Sequence, residues 1–390
     1  MVTSALDGIR VVDLTVARAG PAAVRLLAEW GAEVIRIEIP GETGGIAADH
    51  NSSDYINLHG NKRLVTVDLK DVRGRHILDQ LLESADVLVE NFRPPVKNRL
   101  GIDYPTLAQR FPRLVYASIS GFGQDGPLGD KGAVDQIIQG MAGLMSLTGT
   151  AEAPPTRTGI AVADMAAGYL LANGTLLALL ERHDSGRGQW VRVSLIEALL
   201  SMLDFQAARW TVDQEVPERV GNDHPTIAPM GTFGTADGYL NVAAPNDRLW
   251  SRLCEALGTP AELSDPAFAT VASRFHNRER LKQLLEKFFS SQTRAELTSR
   301  LDEFGVPCGP VNTVEEAFDD PQVRHLGVVE QIVHPVRGDV GVLRSPITMS
   351  RTSAVSKRPA PGPSADTGEV LRELGYTPEA IAELRSDGVV

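Results

Sequence analysis

The sequence predicts an α/β protein, with a large Rossmann-like domain on a parallel sheet and a smaller α+β domain. Two patterns carry that reading. Through the first half, short β-branched apolar runs alternate with helical stretches, the pattern of βαβ units. From about residue 225 the chain becomes dense in Gly, Pro and Thr, as a small antiparallel element requires. The chain has 390 residues, 43% of them hydrophobic, which is ample apolar material for two cores.

The first strand is IRVVDLT (9–15), followed by a helix over Ala22–Trp30 and a second strand, AEVIRIE (32–38). LVTVDL (64–69) reads as the next strand, with a helix from about Val72. ADVLVENF (85–92) and LVYASIS (114–120) follow, again with helical segments between and after them. An Ala- and Leu-rich helix over Met165–Leu180 leads through the turn HDSGRGQ (183–189) to the strand WVRVSL (190–195) and another helix. The antiparallel element covers 223–245, with helices at about 247–257, 276–290 and 294–304. The tail from Arg358 opens with a Pro-rich linker and ends in two short helices. The expected organisation is a large domain over 1–200, a linker over 201–224, a small domain over 225–325, and a return over 326–390 that completes the large domain.

Composition narrows the function. A net charge of −12 argues against non-specific nucleic-acid binding, which needs a basic surface, but leaves room for a local basic cluster holding an anionic small molecule. The run after Asp164 reads as too short and too polar for a membrane span. MVTSALDGIR lacks the basic and apolar regions of a secretory signal. Two cysteines, Cys254 and Cys308, cannot build a disulfide framework or a zinc ribbon, and no His/Cys/carboxylate spacing of a metal-ligand set occurs. The expected setting is cytoplasmic, with no metal.

In a doubly wound fold, ligands bind at the carboxyl ends of the strands. The first strand ends in VARAGP (16–21), which lacks the G-x-G-x-x-G of a dinucleotide fold. The run 85–92 leads into NFRPP (91–95), and 114–120 leads into the glycine-rich loop GFGQDGPLGDKG (121–132), a connector or a lid. One residue stands apart. Between Arg157 and Glu181 the only charge is Asp164, and a carboxylate among apolar residues costs several kcal/mol unless donors or a positive field compensate it. Asp164 sits where a helix should begin, so it reads either as an N-cap or as a nucleophile kept ionised by the helix dipole.

The blocks LDGIRVVDLT (6–15) with AGP (19–21), GAEVIRIE (31–38), NKRLVTVDLK (61–70), ADVLVENFRP (85–94) and ASISGFGQDGP (117–127) resemble the class III CoA-transferase family. ADMAAG (163–168), GRGQWVRVSL (186–195) and FGVPCGPV (304–311) continue the match in order along nearly the whole chain. The resemblance implies that Asp164 is the catalytic aspartate, attacking an acyl-CoA thioester to form a mixed anhydride. It implies that coenzyme A, as a substrate, is held by Arg18 and Ala19 in the first strand-end turn, by Leu69 and Lys70, and by Asn91, Phe92 and Arg99. Phe92 is placed to contact adenine or pantetheine, and Arg99 to pair with phosphate. It also implies an interlaced homodimer of ring-like subunits.

Three departures matter. IPG (39–41) lacks the basic residue some members use for CoA phosphate, so Arg36 or Lys131 is expected to substitute. GNDHPTIAPMG (221–231) stands where formyl-CoA transferase carries a run of glycines, so formate and oxalate are not expected as substrates. Racemases of the same fold pair the Asp with a His after the glycine-rich loop, but here the neighbourhood is GAVDQ (132–136), with Ala133 or Val134 in that place. An alkyl group cannot accept a proton. CoA transfer between carboxylic acids is therefore the leading expectation. The alternatives are an α-methylacyl-CoA racemase or epimerase and a catalytically silent CoA-binding protein.

Overall fold

The structure, a computed structural model, describes residues 4–41 and 49–390. They form two compact units, one made of the chain up to Leu144, Thr158–Thr211 and Gly327–Val390, the other of Met145–Arg157 and Val212–Leu326. In the first unit β1 (Arg10–Asp13), α1 (Ala19–Glu29), β2 (Glu33–Glu38), α2 (Ser53–His59), β3 (Lys62–Thr66), α3 (Val72–Glu83), β4 (Val87–Glu90), α4 (Pro94–Leu100), α5 (Tyr104–Arg110) and β5 (Val115–Ser120) follow one another. Then come α6 (Asp135–Met141), α7 (Val162–Ser185), β6 (Trp190–Ser194), α8 (Leu195–Met202) and α9 (Phe205–Thr211).

The six strands form one parallel sheet in the order β3-β2-β1-β4-β5-β6. This is the doubly wound order, which reverses direction between β1 and β4 and opens a crevice there. Its central strands are apolar without alternation because helices cover both faces: Val11, Val12, Leu64, Val87, Leu88 and Val115 are wholly buried. On one face α1 and α7 pack through Ala23, Leu27, Ala167 and Leu171; on the other, α3 packs through Ile77, Leu78 and Leu81.

The chain returns to this unit as a hairpin of β10 (Val329–His334) and β11 (Gly338–Leu343), followed by α16 (Thr367–Glu373) and α17 (Pro378–Ser386). The tail covers the β3 edge, since Leu64 N–H donates to Asp366 (2.7 Å) and Thr66 N–H to Thr367 (3.0 Å). An open edge strand is thereby closed to foreign strands.

A buried ionic network ties the end of β1 to the middle of β2 and the start of β3. Asp13 accepts from Lys62 Nζ (3.1 Å) and from the Thr15 hydroxyl (2.5 Å), with the Arg36 guanidinium 3.6 Å away. Burial pushes Asp13 up, but Lys62 and then Arg36 and Thr15 outweigh it and hold the carboxyl below its usual range. Burial pulls Lys62 down to about 8 against the attraction of Asp13.

α7 runs 24 residues, beyond both ends of the expected Met165–Leu180. By length and composition alone it is long and apolar enough to cross a membrane, which the shorter sequence reading did not allow. In the fold it lies against the sheet, with Ala163, Ala167, Leu171, Thr175 and Ala178 buried.

The second unit has the antiparallel sheet β7 (Met230–Thr235), β8 (Gly238–Ala243) and β9 (Cys308–Pro310), in that spatial order. Helices α10 (Asp247–Ala256), α11 (Val271–His276), α12 (Arg278–Phe289), α13 (Arg294–Glu303), α14 (Val314–Asp319) and α15 (Pro321–Leu326) accompany it. Phe233, Leu240, Phe268, Leu285, Phe289 and Leu297 form its core. Met145–Arg157 joins this unit through Arg219, whose guanidinium donates to the carbonyls of Thr150, Ala151 and Ala153.

Candidate active site

Asp164 is the third residue of α7, partly buried at the first turn. It is not the N-cap. That position is held by Ala161, which offers no side-chain acceptor. The capping work is done from α6, where buried Asp135 accepts from the Ala163 N–H through Oδ1 (2.8 Å). Gln139 holds Asp135 in place by donating to its Oδ2 (2.6 Å) and accepts from the Thr158 N–H (2.9 Å). A helix N–H needs an acceptor, and nothing requires that acceptor to be local in sequence. The Asp164 carboxylate is thereby released, and it accepts no hydrogen bond among the described residues.

Its electrostatics follow from that placement. Burial pushes the Asp164 pKa up to about 6, the nearby Asp135 charge adds to the rise, and the Arg18 guanidinium opposes it. The α7 dipole also favours the ionised form. A carboxylate with a pKa near 6 is mostly ionised at neutral pH yet more basic, and so more nucleophilic, than an ordinary one. Arg18 is itself fixed by an ion pair with Asp54 (2.7 Å).

Helix α1 approaches α7 closely because neither has a bulky side chain at the crossing. A Cβ on Gly168 would lie 2.8 Å from the Ala19 carbonyl oxygen and 3.3 Å from the Ala22 Cβ. Gly168 is one turn beyond Asp164 on the same face. Ala19 is buried in this contact, which brings the Arg18 turn up to the first turn of α7.

The other sequence-derived positions divide into three groups. Asn91 bridges the crevice between β1 and β4: its amide donates to the Val16 carbonyl (2.8 Å) and accepts from the Val16 N–H (3.0 Å). Phe92 is half-buried beside the sheet core, and its N–H donates to Glu90 (2.8 Å). Leu69 is a core residue, so only its backbone can meet a ligand. Arg99, in the last turn of α4, and Lys70 are exposed. Lys131 is exposed too, with its ammonium 5.7 Å from the Phe122 ring centre. Arg36 is not free to meet a phosphate, because it is buried and committed to Asp13, Glu38 (2.8 Å) and the Thr15 carbonyl (2.7 Å). Lys131 is then the exposed one of the two expected substitutes.

The chain matches the model of CoA-transferase family III over residues 6–367. It belongs to that family. Among curated relatives, acetyl-CoA:oxalate CoA-transferase of Acetobacter aceti is 35% identical over 96% of this chain and 96% of its own length. Succinyl-CoA:glutarate CoA-transferase of Homo sapiens is 33% identical over 99% of this chain and 90% of its own length. Among solved structures, a CaiB/BaiF family protein from Brucella suis superposes with a TM-score of 0.85 at 34% identity, covering 95% of this chain and 100% of that one. The protein is thus a class III CoA-transferase, with acyl-CoA and carboxylic acids as its class of substrates.

For this CoA-transferase, sequence reading singled out Asp164 as the candidate but missed the residues that surround it. Asp135 was visible as an Asp at the start of the pattern DQIIQG, but nothing in the sequence said that it caps a different helix. Gly168 lay within ADMAAG, and only the α1 crossing gives it a reason. Among the described residues, no group of three His, Cys, Asp or Glu could hold a metal ion.

Proposed function

We propose that the enzyme moves CoA between carboxylic acids through covalent intermediates on Asp164. The observation that carries this reading is a partly buried carboxylate, accepting no hydrogen bond among the described residues and raised to about 6 by burial, at the first turn of α7 and next to the Arg18 turn of the β1/β4 crevice. An Asp164 oxygen attacks the acyl carbon of acyl-CoA, the C–S bond breaks, and CoA leaves as the thiolate with the electron pair. The thiolate attacks the Asp164 carbonyl of the anhydride, giving an aspartyl-CoA thioester and releasing the donor acid. The acceptor carboxylate repeats these steps in reverse and leaves as the new acyl-CoA, regenerating Asp164. No oxidant or metal is consumed. Hydroxylamine trapping at residue 164 tests the scheme.

A racemase reading lacks support. Val134 is an exposed alkyl residue at the start of α6, and neighbouring Asp135 is occupied by Ala163 and Gln139. Relatives named for oxalate and glutarate support a small carboxylic acid as the acceptor. A cytoplasmic setting fits the two unpaired cysteines.

Arg99 is the phosphate contact in this reading. Arg99→Ala is expected to weaken CoA binding by about 1.5–3 kcal/mol, the range for a charge-assisted hydrogen bond, and by less in high salt. Unchanged affinity in calorimetry removes Arg99 from the site.

The enzyme is also read as an interlaced homodimer. After Gly168, one side of α7 exposes Tyr169, Leu170, Leu176, Leu177 and Leu180, and α8 adds Leu200 and Met202. An apolar stripe of this extent needs a cover, and a second copy supplies one. Sedimentation at micromolar concentration should show dimer alone. A persistent folded monomer contradicts the assembly.

A further inference from the structure

Glu90 ends β4 and is wholly buried. Its carboxylate accepts from the Phe92 N–H (2.8 Å), the Ser118 hydroxyl (2.5 Å) and Lys97 Nζ (2.9 Å). Ser118 in turn accepts from Trp190 Nε1 (2.8 Å). Lys97, only 3% exposed, lies 5.3 Å from the Trp190 ring centre and so completes an internal ion pair of the kind many folds contain. It also does something such a pair does not need, donating to Gln124 Oε1 (2.5 Å) in the middle of the glycine-rich loop.

That loop has little else to fix its centre. Its start is anchored, with the Gly121 carbonyl accepting from the Ile196 N–H (3.2 Å), Phe122 packed on the core and the Gly123 N–H on the Ser120 hydroxyl (3.1 Å), and beyond Gln124 it makes local turns. The Asp125–Arg192 pair is 3.6 Å apart and exposed on both sides, so it contributes little. From Lys131 the loop runs directly into α6, whose Asp135 caps α7 beside Asp164. One buried ammonium therefore joins the turn carrying Asn91 and Phe92 to the segment that ends at the nucleophile.

We propose that Lys97 is a positioning residue for CoA transfer, a latch that fixes the glycine-rich loop through Gln124 and acts on the chemical step more than on CoA affinity. The proposal rests on the reading of Asp164 as nucleophile and of Asn91 and Phe92 as CoA contacts. Gln124→Met tests it with least damage. The variant keeps the side-chain volume and the Glu90–Lys97 pair, and it gives up only the acceptor, because Gln124 Nε2 is buried with no hydrogen-bond partner among the described residues. The melting temperature, CoA affinity and KM should stay near those of the parent, while kcat falls about tenfold and amide hydrogen exchange in residues 122–131 speeds up. Gln124→Glu, which offers Lys97 a carboxylate oxygen in the same place, should restore both. Unchanged kcat and exchange, a parallel loss of melting temperature, affinity and kcat, or a Glu variant no better than the Met variant overturns the latch. A parent enzyme that transfers no CoA overturns the reading of Asp164 instead, and hydrogen exchange alone then decides whether the loop is latched.

Discussion

Asp164→Asn is expected to fold, bind CoA, gain stability above pH 6 and lose CoA transfer by at least about a thousandfold. The activity loss follows from chemistry: an amide cannot form the mixed anhydride or be regenerated from it. The stability gain follows from burial. In the folded protein the Asp164 pKa is raised to about 6 from 3.8, so its favourable contribution is present in full below the unfolded value and is lost as pH rises through about 6. At pH 8 the ionised carboxylate is a net cost, which Asn removes. Allowing for partial exposure, the gain is about 1–3 kcal/mol at pH 8 and close to nothing at pH 4. Urea denaturation at both pH values measures it. No cap is lost, since Asp135 supplies the hydrogen bond to α7.

The same carboxylate predicts the pH profile, with kcat/KM of the parent rising through about pH 6 as Asp164 loses its proton. Incubation with a reactive acyl-CoA and then hydroxylamine should convert residue 164 to a hydroxamate in the parent and not in the variant. Substantial activity in the Asn variant, with deamidation excluded, would falsify the covalent scheme. A variant less stable than the parent at pH 8 instead shows that the carboxylate has a structural partner.

Gly168→Val is expected to destabilise the enzyme by about 3 kcal/mol and to reduce transfer at least tenfold. The Cβ alone would sit 2.8 Å from a backbone carbonyl oxygen, which cannot swing aside as a flexible side-chain tip can. Relief requires α1 to shift, and α1 begins at Ala19, next to Arg18, whose charge favours the ionised form of Asp164. Gly168→Ala gives the sharper sign test. In a helix interior, Gly to Ala is worth about 1 kcal/mol of stability from backbone entropy alone. Here it should cost stability, because the crossing has no room. Thermal melts that place the Ala variant above the parent rule out the close crossing.

The sequence by itself determined the sheet and singled out Asp164 as the candidate nucleophile. The runs 9–15, 32–38, 85–92, 114–120 and 190–195 contain five of the strands, and 64–69 overlaps the sixth, which starts two residues earlier at Lys62, because strands covered on both faces must be apolar throughout and stand out against amphipathic helices. A single carboxylate in an apolar stretch was equally visible, as was the order of motifs that the family match bears out. The role of each polar group was decided only by the tertiary structure. Asp164 read locally as an N-cap, and the fold gave that task to Asp135, nearly thirty residues upstream. Arg36 read as a candidate phosphate ligand, and the fold enclosed it with Asp13 and Glu38. Lys97 has no distinguishing feature within NFRPPVKNRL, and the fold sets its ammonium between Glu90 and Gln124. Apolar patterning repeats along the chain and survives in one dimension. A hydrogen bond or an ion pair depends on which donor and acceptor come within about 3 Å, and that distance is created by packing between segments far apart in sequence.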